Sequence, residues 1–317
     1  MNCLVTGGAG FIGSNLVDRL LAEGNKVIVV DDLSLGTEEN LKQHESSPNL
    51  QVVKKSICDD LSDIFRDGKF NVVFHLAAYP MVQYSIENPK KTHEINVNGT
   101  LNLLNKCKDH DVKRFVFSSS CAVYGSKEKM PMVETDPTEP ISPYALHKLI
   151  GEKYCKLFNF LYGLETVCLR YFNVFGPRQN PSGNYASVIP KFLMKVLKSE
   201  RPIIFGDGKQ TRDLISVFDV VNANIAASKT KNERCFGEPF NIGSGVNLSV
   251  NEIAERIISL AGESIVPVHG EPVMEPKDSL GDVGKARDFL GWAPKESFDG
   301  VLKQTLKSLS GRLERSL

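Results

Sequence analysis

No apolar run in the 317 residues approaches the length that a bilayer demands, so no membrane-spanning helix is expected. Charge of one sign is not in surplus either, since 38 Lys and Arg stand against 38 Asp and Glu. Without a net field to attract them, neither nucleic acid nor an anionic membrane is an expected partner. Paired cysteines are also missing. The seven are odd in number and scattered singly, which suits buried thiols in a reducing cytoplasm better than a disulfide frame. His75 and His147 lack companions at ligand spacing, so no metal site is expected. There is no internal repeat and no low-complexity linker. Met1-Asn2-Cys3-Leu4 runs straight into an apolar stretch, and no signal peptide is expected. The length allows one large or two smaller domains with a full core.

Glycine is present where it matters. Asn2 to Thr6 reads as a short apolar strand, and Gly7-Gly8-Ala9-Gly10-Phe11-Ile12-Gly13 follows it. Glycines at 7, 10 and 13 allow a tight turn and let backbone approach a pyrophosphate. They also aim the amino end of the next helix, from Phe11 to about Glu23, at the phosphates. Lys26 to Val30 is then a buried parallel strand ending at Asp31, eighteen residues after Gly13. A carboxylate there can accept hydrogen bonds from an adenosine ribose, and it would repel a 2′-phosphate. The expected cofactor is therefore NAD rather than NADP.

A second constellation lies at Tyr144-Ala-Leu-His-Lys148, where helical spacing puts Lys148 on the same face as Tyr144. A neighbouring ammonium favours a phenolate, so the expectation is a lowered tyrosine pKa. Ser142 and Pro143 supply a cap and a first-turn residue for that helix. Phe115 to Ser120 is an apolar strand ending in three hydroxyls, which a doubly wound sheet would aim into the cofactor crevice.

Strand and helix signals alternate up to about Arg170, with strands expected near 2–6, 26–31, 50–56, 71–76, 114–118 and 164–169. That succession predicts an α/β fold: a Rossmann-type doubly wound parallel sheet over residues 1–170. A helix from Asp219 to Lys229 is expected to return to it, within a stretch of about 212–230. Residues 171–317 read as a smaller, discontinuous α/β substrate-binding domain. It comprises a loop over Gln179 to Tyr185, a helix near 186–199, strands at 203–205 and 240–242, a helix over 250–261, and two terminal helices.

With these pieces in place, the chain resembles the extended short-chain dehydrogenases/reductases, in particular the nucleotide-sugar epimerases and dehydratases, over nearly its whole length. The motifs that carry the resemblance are Asp31-Asp32-Leu33-Ser34-x-Gly36, His75-Leu76-Ala77-Ala78, Asn96-Val97-Asn98-Gly99-Thr100 and Ser118 to Gly125. Ser142-Pro143-Tyr144, Arg170 to Arg178, Gly206 to Asp213 and Leu290-Gly291-Trp292-x-Pro294 continue it. By that resemblance Phe11, Ile12, Asp32, Ser34 and Gly36 line the NAD site with the glycines and Asp31. Ser56, Ile57, Leu76, Ala77, Ala78, Asn96, Ser118 and Tyr171 join them.

The resemblance also implies a mechanism. Tyr144 removes the proton from a sugar 4-hydroxyl while hydride passes from C4 to NAD, and the 4-keto sugar turns over to receive hydride on its other face. Ser120 bonds the same oxygen, and Lys148 lowers the Tyr144 pKa and holds the nicotinamide ribose. With no net redox change, NAD should stay bound. A UDP-sugar substrate would be met by Ser120, Cys121, Tyr144, Asn173, Val188, Phe205, Arg212, Glu275 and Ser279. Relatives that are dehydratases place a carboxylate after the Ser/Thr, whereas this chain has Cys121 and Ala122. That favours a 4-epimerase, with a UDP-glucuronate epimerase/decarboxylase, an NDP-sugar 4,6-dehydratase, a sugar reductase and a non-catalytic NAD-binding scaffold as the other readings.

Three departures stand out. Lys55-Ser56-Ile57 occupies the place of the usual Gly-Asp-Ile that holds adenine. Pro272-Val273-Met274-Glu275 replaces an Arg-x-Gly-Asp, removing the arginine that grips the diphosphate and leaving Lys277 as a substitute charge. Ser279 stands where glucose-restricted epimerases carry a large tyrosine, so UDP-N-acetylglucosamine is as open a choice as UDP-glucose. A homodimer is expected too, because the helix from Tyr144 is apolar on more than one face (Leu149, Ile150, Tyr154, Leu157, Phe158, Phe160, Leu161). Val97, Leu101, Leu103 and Leu104 on the helix near 92–108 would complete a four-helix contact.

Overall fold

In a computed structural model, residues 1–181, 187–272 and 277–314 are described. Apolar strands β1 (Asn2–Thr6), β2 (Lys26–Asp31), β3 (Leu50–Lys54), β4 (Val72–His75), β5 (Arg114–Ser120) and β6 (Glu165–Tyr171) build one parallel sheet. The chain then leaves it to form β7 (Asn173–Phe175), β8 (Ile203–Phe205) and β9 (Thr211–Ser216), and returns with β10 (Glu238–Ile242). β11 (Asn247–Ser249) and β12 (Val268–Gly270) follow outside the sheet. The large sheet runs β10-β6-β5-β4-β1-β2-β3, so the order reverses at β1, between the cofactor turn and the serine strand.

Alternate side chains go to opposite faces of each strand. Cys3, Val5, Val116 and Leu169 pack under helices Phe11–Ala22 and Val217–Lys229. Leu4, Phe115, Phe117 and Cys168 pack under Thr100–Asp109 and Pro143–Tyr162. The helix expected near 219–229 thus returns to the first sheet. β10 returns as well, pairing Phe240 with Leu169 and Ile242 with Tyr171, so it is the seventh strand of the large sheet and not one of the smaller lobe's pieces.

The smaller lobe holds a three-stranded sheet, β11-β9-β7, and a pair, β12-β8. Helices Val188–Leu197, Val250–Ala261 and Phe298–Glu314 close its core around Phe192, Leu193, Ile253, Ile257 and Leu302. Ser249 and Glu252 form a reciprocal cap at the start of the second of these helices.

One helix departs from expectation. The segment 89–109 opens with Pro89–His93, passes through a wide π-type turn at Glu94–Gly99, and continues as Thr100–Asp109. Such turns shift one helix face by a residue, and the buried Asn96 lies within this one. Among the described residues, no helix is long and apolar enough to cross a membrane.

Candidate active site at the carboxyl ends of the strands

The glycine turn is built as its spacing requires. Gly7 sits at φ +70°, and a Cβ there would lie 2.7 Å from the Ala77 nitrogen. A Cβ on Gly13 would run into the Gly7 carbonyl oxygen. Gly10 N donates to Gly7 O at 3.1 Å, closing the turn at the start of the helix that Phe11 and Ile12 begin. That helix has no side-chain cap and no acidic residue in its first turn, so its amide donors remain for an anion.

Asp31 is nearly buried, and burial pushes its carboxyl upward. Its oxygens accept from Ala9 N and Leu33 N, each at 2.9 Å, which folds the 32–36 loop onto the turn. Each carboxylate oxygen has lone-pair room for a second donor, as a ribose needs. Asp32 accepts from Ser34 N at 2.9 Å, and a Cβ on Gly36 would press on Ala9. On this evidence the residues present fit a dinucleotide.

Ser56 and Ile57 form the turn after β3, where Ser56 Oγ accepts from Cys58 N and the Ile57 carbonyl accepts from Asn102. Leu76 N and Ala77 N donate to Thr6 at 3.1 and 3.4 Å, which carries Ala78 to the mouth of the crevice. Asn96 clamps Tyr79 there, accepting from its N–H at 2.8 Å and donating to its carbonyl at 3.1 Å. Beside them a cavity of about 820 Å³ opens between Asp32, Tyr79, Lys91 and Glu94.

Tyr144, Lys148 and Ser120 come together at the end of β5. Ser142 caps the helix through Ala145 N at 3.2 Å, with Pro143 in the first turn as expected. Lys148 donates to the Ser118 carbonyl at 2.6 Å, with its Nζ 5.0 Å from the Phe117 ring centre and 5.9 Å from that of Tyr144. Burial pulls its pKa down to about 8, while Cys155 and Glu152 oppose the fall. Tyr144 differs from expectation. Burial pushes its hydroxyl up to about 12, a hydrogen bond with Ser120 offsets part of this, and Lys148 is turned away to Ser118. Desolvation outweighs the helical pairing that spacing alone suggests.

Behind these groups Ser118 Oγ meets the Tyr171 hydroxyl at 3.0 Å, and Asn224 donates to that oxygen at 2.8 Å. His75, whose imidazole the sequence leaves without metal partners, bridges Thr6 and Thr100 at 2.8 Å each. It is a structural histidine, and burial pulls its pKa to about 3.

The side of the crevice formed by the smaller lobe is organised differently. Asn173 donates to both the Asp213 carbonyl and Ser279 Oγ at 3.1 Å. Asp213, fully buried, accepts from Ser244 N and Oγ at 2.7 Å, from Gly281 N at 3.1 Å and from Gly245 N at 3.3 Å. Its carboxylate therefore ties three separate segments together. In the sequence Asp213 is only the last residue of the Gly206 to Asp213 motif, with no role of its own. Its position at the end of Gln210-Thr211-Arg212-Asp213 was the available signal.

Arg212 donates to the Thr211 and Lys277 carbonyls. Cys121 lies close enough to Asp213 and Arg212 to feel both charges, and burial raises its thiol to about 12. Phe205 is half-exposed on β8, and Val188 opens the helix Val188–Leu197. Glu275 lies outside the described residues. Among the described residues no His, Cys, Asp and Glu cluster could hold a metal.

Residues 3–243 match the sequence model of the NAD dependent epimerase/dehydratase family. The chain is 39% identical over 307 residues to a UDP-glucose 4-epimerase of Mycolicibacterium smegmatis, covering 96% of this chain and 97% of that one. Among solved structures it is similar to the UDP-glucose 4-epimerase of Thermotoga maritima with UDP-glucose. That similarity has a TM-score of 0.93 and 40% identity, and covers 99% of this chain and 100% of that chain. The UDP-N-acetylglucosamine 4-epimerase of Methanobrevibacter ruminantium, in complex with UDP-N-acetylmuramic acid, matches with a TM-score of 0.93 and 38% identity over 98% of each chain.

Proposed function

The chain belongs to the NAD-dependent epimerase/dehydratase family, and from that premise we propose that it inverts C4 of a UDP-sugar. The observation that carries this reading is the meeting of Tyr144, Lys148 and Ser120 at the end of β5, across the strand-order reversal from the glycine turn. NAD supplies the acceptor, and then the donor, of the C4 hydride. Gly7, Gly10, Gly13, Phe11, Ile12 and Asp31 would hold its pyrophosphate and adenosine, with Asp32, Ser34, Gly36, Ser56, Ile57, Leu76, Ala77 and Ala78 around them. Asn96 supports that wall through Tyr79.

Tyr144 takes the 4-hydroxyl proton and later returns it, with Ser120 bonding the same oxygen. At rest the phenol is firmly protonated, because burial raises its pKa. It becomes a base when cationic charge acts on it, and Lys148, held by the Ser118 carbonyl with its Nζ 5.9 Å from the Tyr144 ring centre, is the source of that charge in this reading. Cys121 and Ala122 give no acid to drive loss of water, which supports epimerisation through a 4-keto sugar over dehydration.

The smaller lobe, built from residues after 170, is the substrate half in this reading, facing the cofactor half of residues 1–170 and the returning 212–230 stretch. Asn173, Val188, Phe205, Arg212 and Ser279 surround the nucleotide-sugar. Ser279 adds no bulk, and its hydroxyl is engaged by Asn173 and Asp213 N, which supports entry of a 2-acetamido sugar as well as glucose.

A homodimer fits the same reading. Leu157, Phe160 and Leu161 are 45%, 82% and 52% exposed on the Tyr144 helix. Val97, Leu103 and Leu104 instead turn into the core, so the neighbouring helix gives less apolar surface than its sequence suggests. Light scattering on the purified chain reads the state directly, and a monomer at micromolar concentration would refute the dimer.

The test of function is product analysis of the purified protein without added cofactor, with UDP-N-acetylglucosamine, UDP-glucose and UDP-glucuronate in parallel. Formation of the 4-epimer is the expected result. Carbon dioxide, a released keto sugar, or no turnover of any of the three would overturn the proposal.

A further inference from the structure

The middle serine of the strand-end triplet faces away from the crevice. Ser119 is buried and donates to Glu152 Oε1 at 2.6 Å. Glu152 lies one helical turn beyond Lys148 and also takes Arg170 Nε at 2.8 Å and Nη2 at 2.7 Å, a fork on a fully sheltered carboxylate. Arg170 lies over the Tyr124 ring at 4.7 Å, and the Tyr124 hydroxyl donates to Asn241 Oδ1 at 2.7 Å. The site helix, β5, β6 and β10 are thus joined by one polar chain behind the chemistry.

A buried ion pair is a poor source of stability, because desolving two charges costs about as much as their attraction returns. This one sits where position matters. Directly on either side of Ser119, Ser118 O receives Lys148 and the Ser120 hydroxyl meets Tyr144. We propose that Ser119 is a positioning residue, which uses the Glu152–Arg170 pair as a fixed anchor to set the Ser118 carbonyl under Lys148 and the Ser120 hydroxyl beside Tyr144. The inference rests on the epimerase reading for its effect on turnover, though not for its effect on Lys148.

The groups that face Lys148 are Tyr144, His147, Glu152 and Cys155 on its own helix, neutral His75 from β4, and the Ser118 carbonyl and Phe117 ring from β5. Arg170 from β6 stands behind Glu152. Removing the Ser119 hydroxyl leaves more negative charge on Glu152 toward Lys148 and loosens the strand end that shields it. Burial is the chief cause of the low Lys148 pKa, so both changes favour the ammonium by more than a weakened Ser118 bond opposes it, and the titration midpoint rises.

Three proteins decide the matter: wild type, Ser119→Ala, and Ser119→Thr, which keeps a hydroxyl on a residue suited to a strand. Lys148 is titrated by nitrogen NMR of lysine side chains, its signal assigned by its loss in Lys148→Arg. In Ser119→Ala the midpoint should rise by about half a pH unit or more. With a UDP-sugar that the wild type turns over, kcat should fall about tenfold while KM stays within about twofold. Ser119→Thr should restore both. An unmoved Lys148 midpoint in a folded Ser119→Ala, or no rescue by threonine, overturns the proposal and leaves Ser119 a packing residue. If Ser119→Ala does not fold, Ser119→Cys, nearly the same size with a weak donor, takes its place. Should the wild type turn over no UDP-sugar, the epimerase reading fails while the Lys148 titration still decides this one.

Discussion

The cofactor crevice and the pocket proposed for the sugar nucleotide meet at β5 and β6 yet are held in place by different means. Around the cofactor turn, position comes from backbone: Gly7 packed on Ala77, Gly10 bonded to Gly7, and Leu76 bonded to Thr6. These groups sit on or beside strands that are paired over five residues with their neighbours. On the substrate side the strands are short, with β7, β8, β11 and β12 only three residues each. Position there hangs on one side chain, the Asp213 carboxylate, which gathers the backbone N–H groups of Ser244, Gly245 and Gly281 and the Ser244 hydroxyl. A backbone-built site tolerates change at any one side chain but not at a glycine. A side-chain-built pocket can be retuned residue by residue, provided that its hub remains.

The largest expected effect lies where the two halves meet. Tyr144→Phe should keep fold and bound NAD but lose on the order of a thousandfold in turnover, the share usual for a positioned acid–base. Near-normal turnover would remove Tyr144 from the chemistry. On the backbone-built side, Gly7→Ala must put a Cβ at φ +70° and against Ala77. A loss of about 2–3 kcal/mol in stability, together with weakened NAD retention, is expected by denaturant titration and ultraviolet absorbance of bound cofactor. Retention equal to wild type would show that the turn is not set by backbone fit.

His75 tests the same half through pH. Its pKa in the fold, about 3, lies below the ordinary 6.5 because it is buried neutral. The stability it adds is therefore present above pH 6.5 and is lost as pH falls toward 3. Between pH 7 and 5 this amounts to about 2 kcal/mol. Urea titrations at the two pH values should show that loss shrink by about this amount in His75→Gln. An unchanged loss would assign the acid sensitivity elsewhere.

On the side-chain-built half, Asp213→Asn leaves two of the four donors facing an uncharged carbonyl and sets amide hydrogens against the other two, so about 1–2 kcal/mol of stability should go. KM for the sugar nucleotide should rise more than kcat falls, and the reverse pattern would detach Asp213 from the pocket. The smallest effect is one of preference. Ser279→Tyr should cost turnover of an N-acetylated sugar several-fold relative to UDP-glucose, about 1 kcal/mol of discrimination. An unaltered ratio would show that position 279 does not gate the sugar.

The same contrast explains what could be read from the sequence. The long strands announced themselves as apolar runs, and the glycine spacing, Ser142 cap and Tyr144–Lys148 turn each follow from local geometry. β10 did not, because Phe240-Asn241-Ile242 is brief and its membership depends on pairing with a strand about seventy residues earlier. The wide turn at Glu94–Gly99, which contains the Asn96 bonded to Tyr79, leaves no trace in periodicity. Nor does spacing reveal the direction of the Tyr144 pKa. That depends on how much water the finished crevice excludes and on whether Lys148 points at the phenol or at Ser118.

The late arrival of β10 has a consequence for synthesis. The first six strands are complete when residue 171 has been made, but the sheet then ends in β6 with its outer backbone groups open. Only when residues 238–242 emerge is that edge covered. During translation the nascent chain therefore carries an unpaired border of Val167, Leu169 and Tyr171 for about seventy residues, the kind of border that recruits other chains. A fragment ending near residue 171 should accordingly precipitate unless a peptide spanning 238–242 is supplied to complete it.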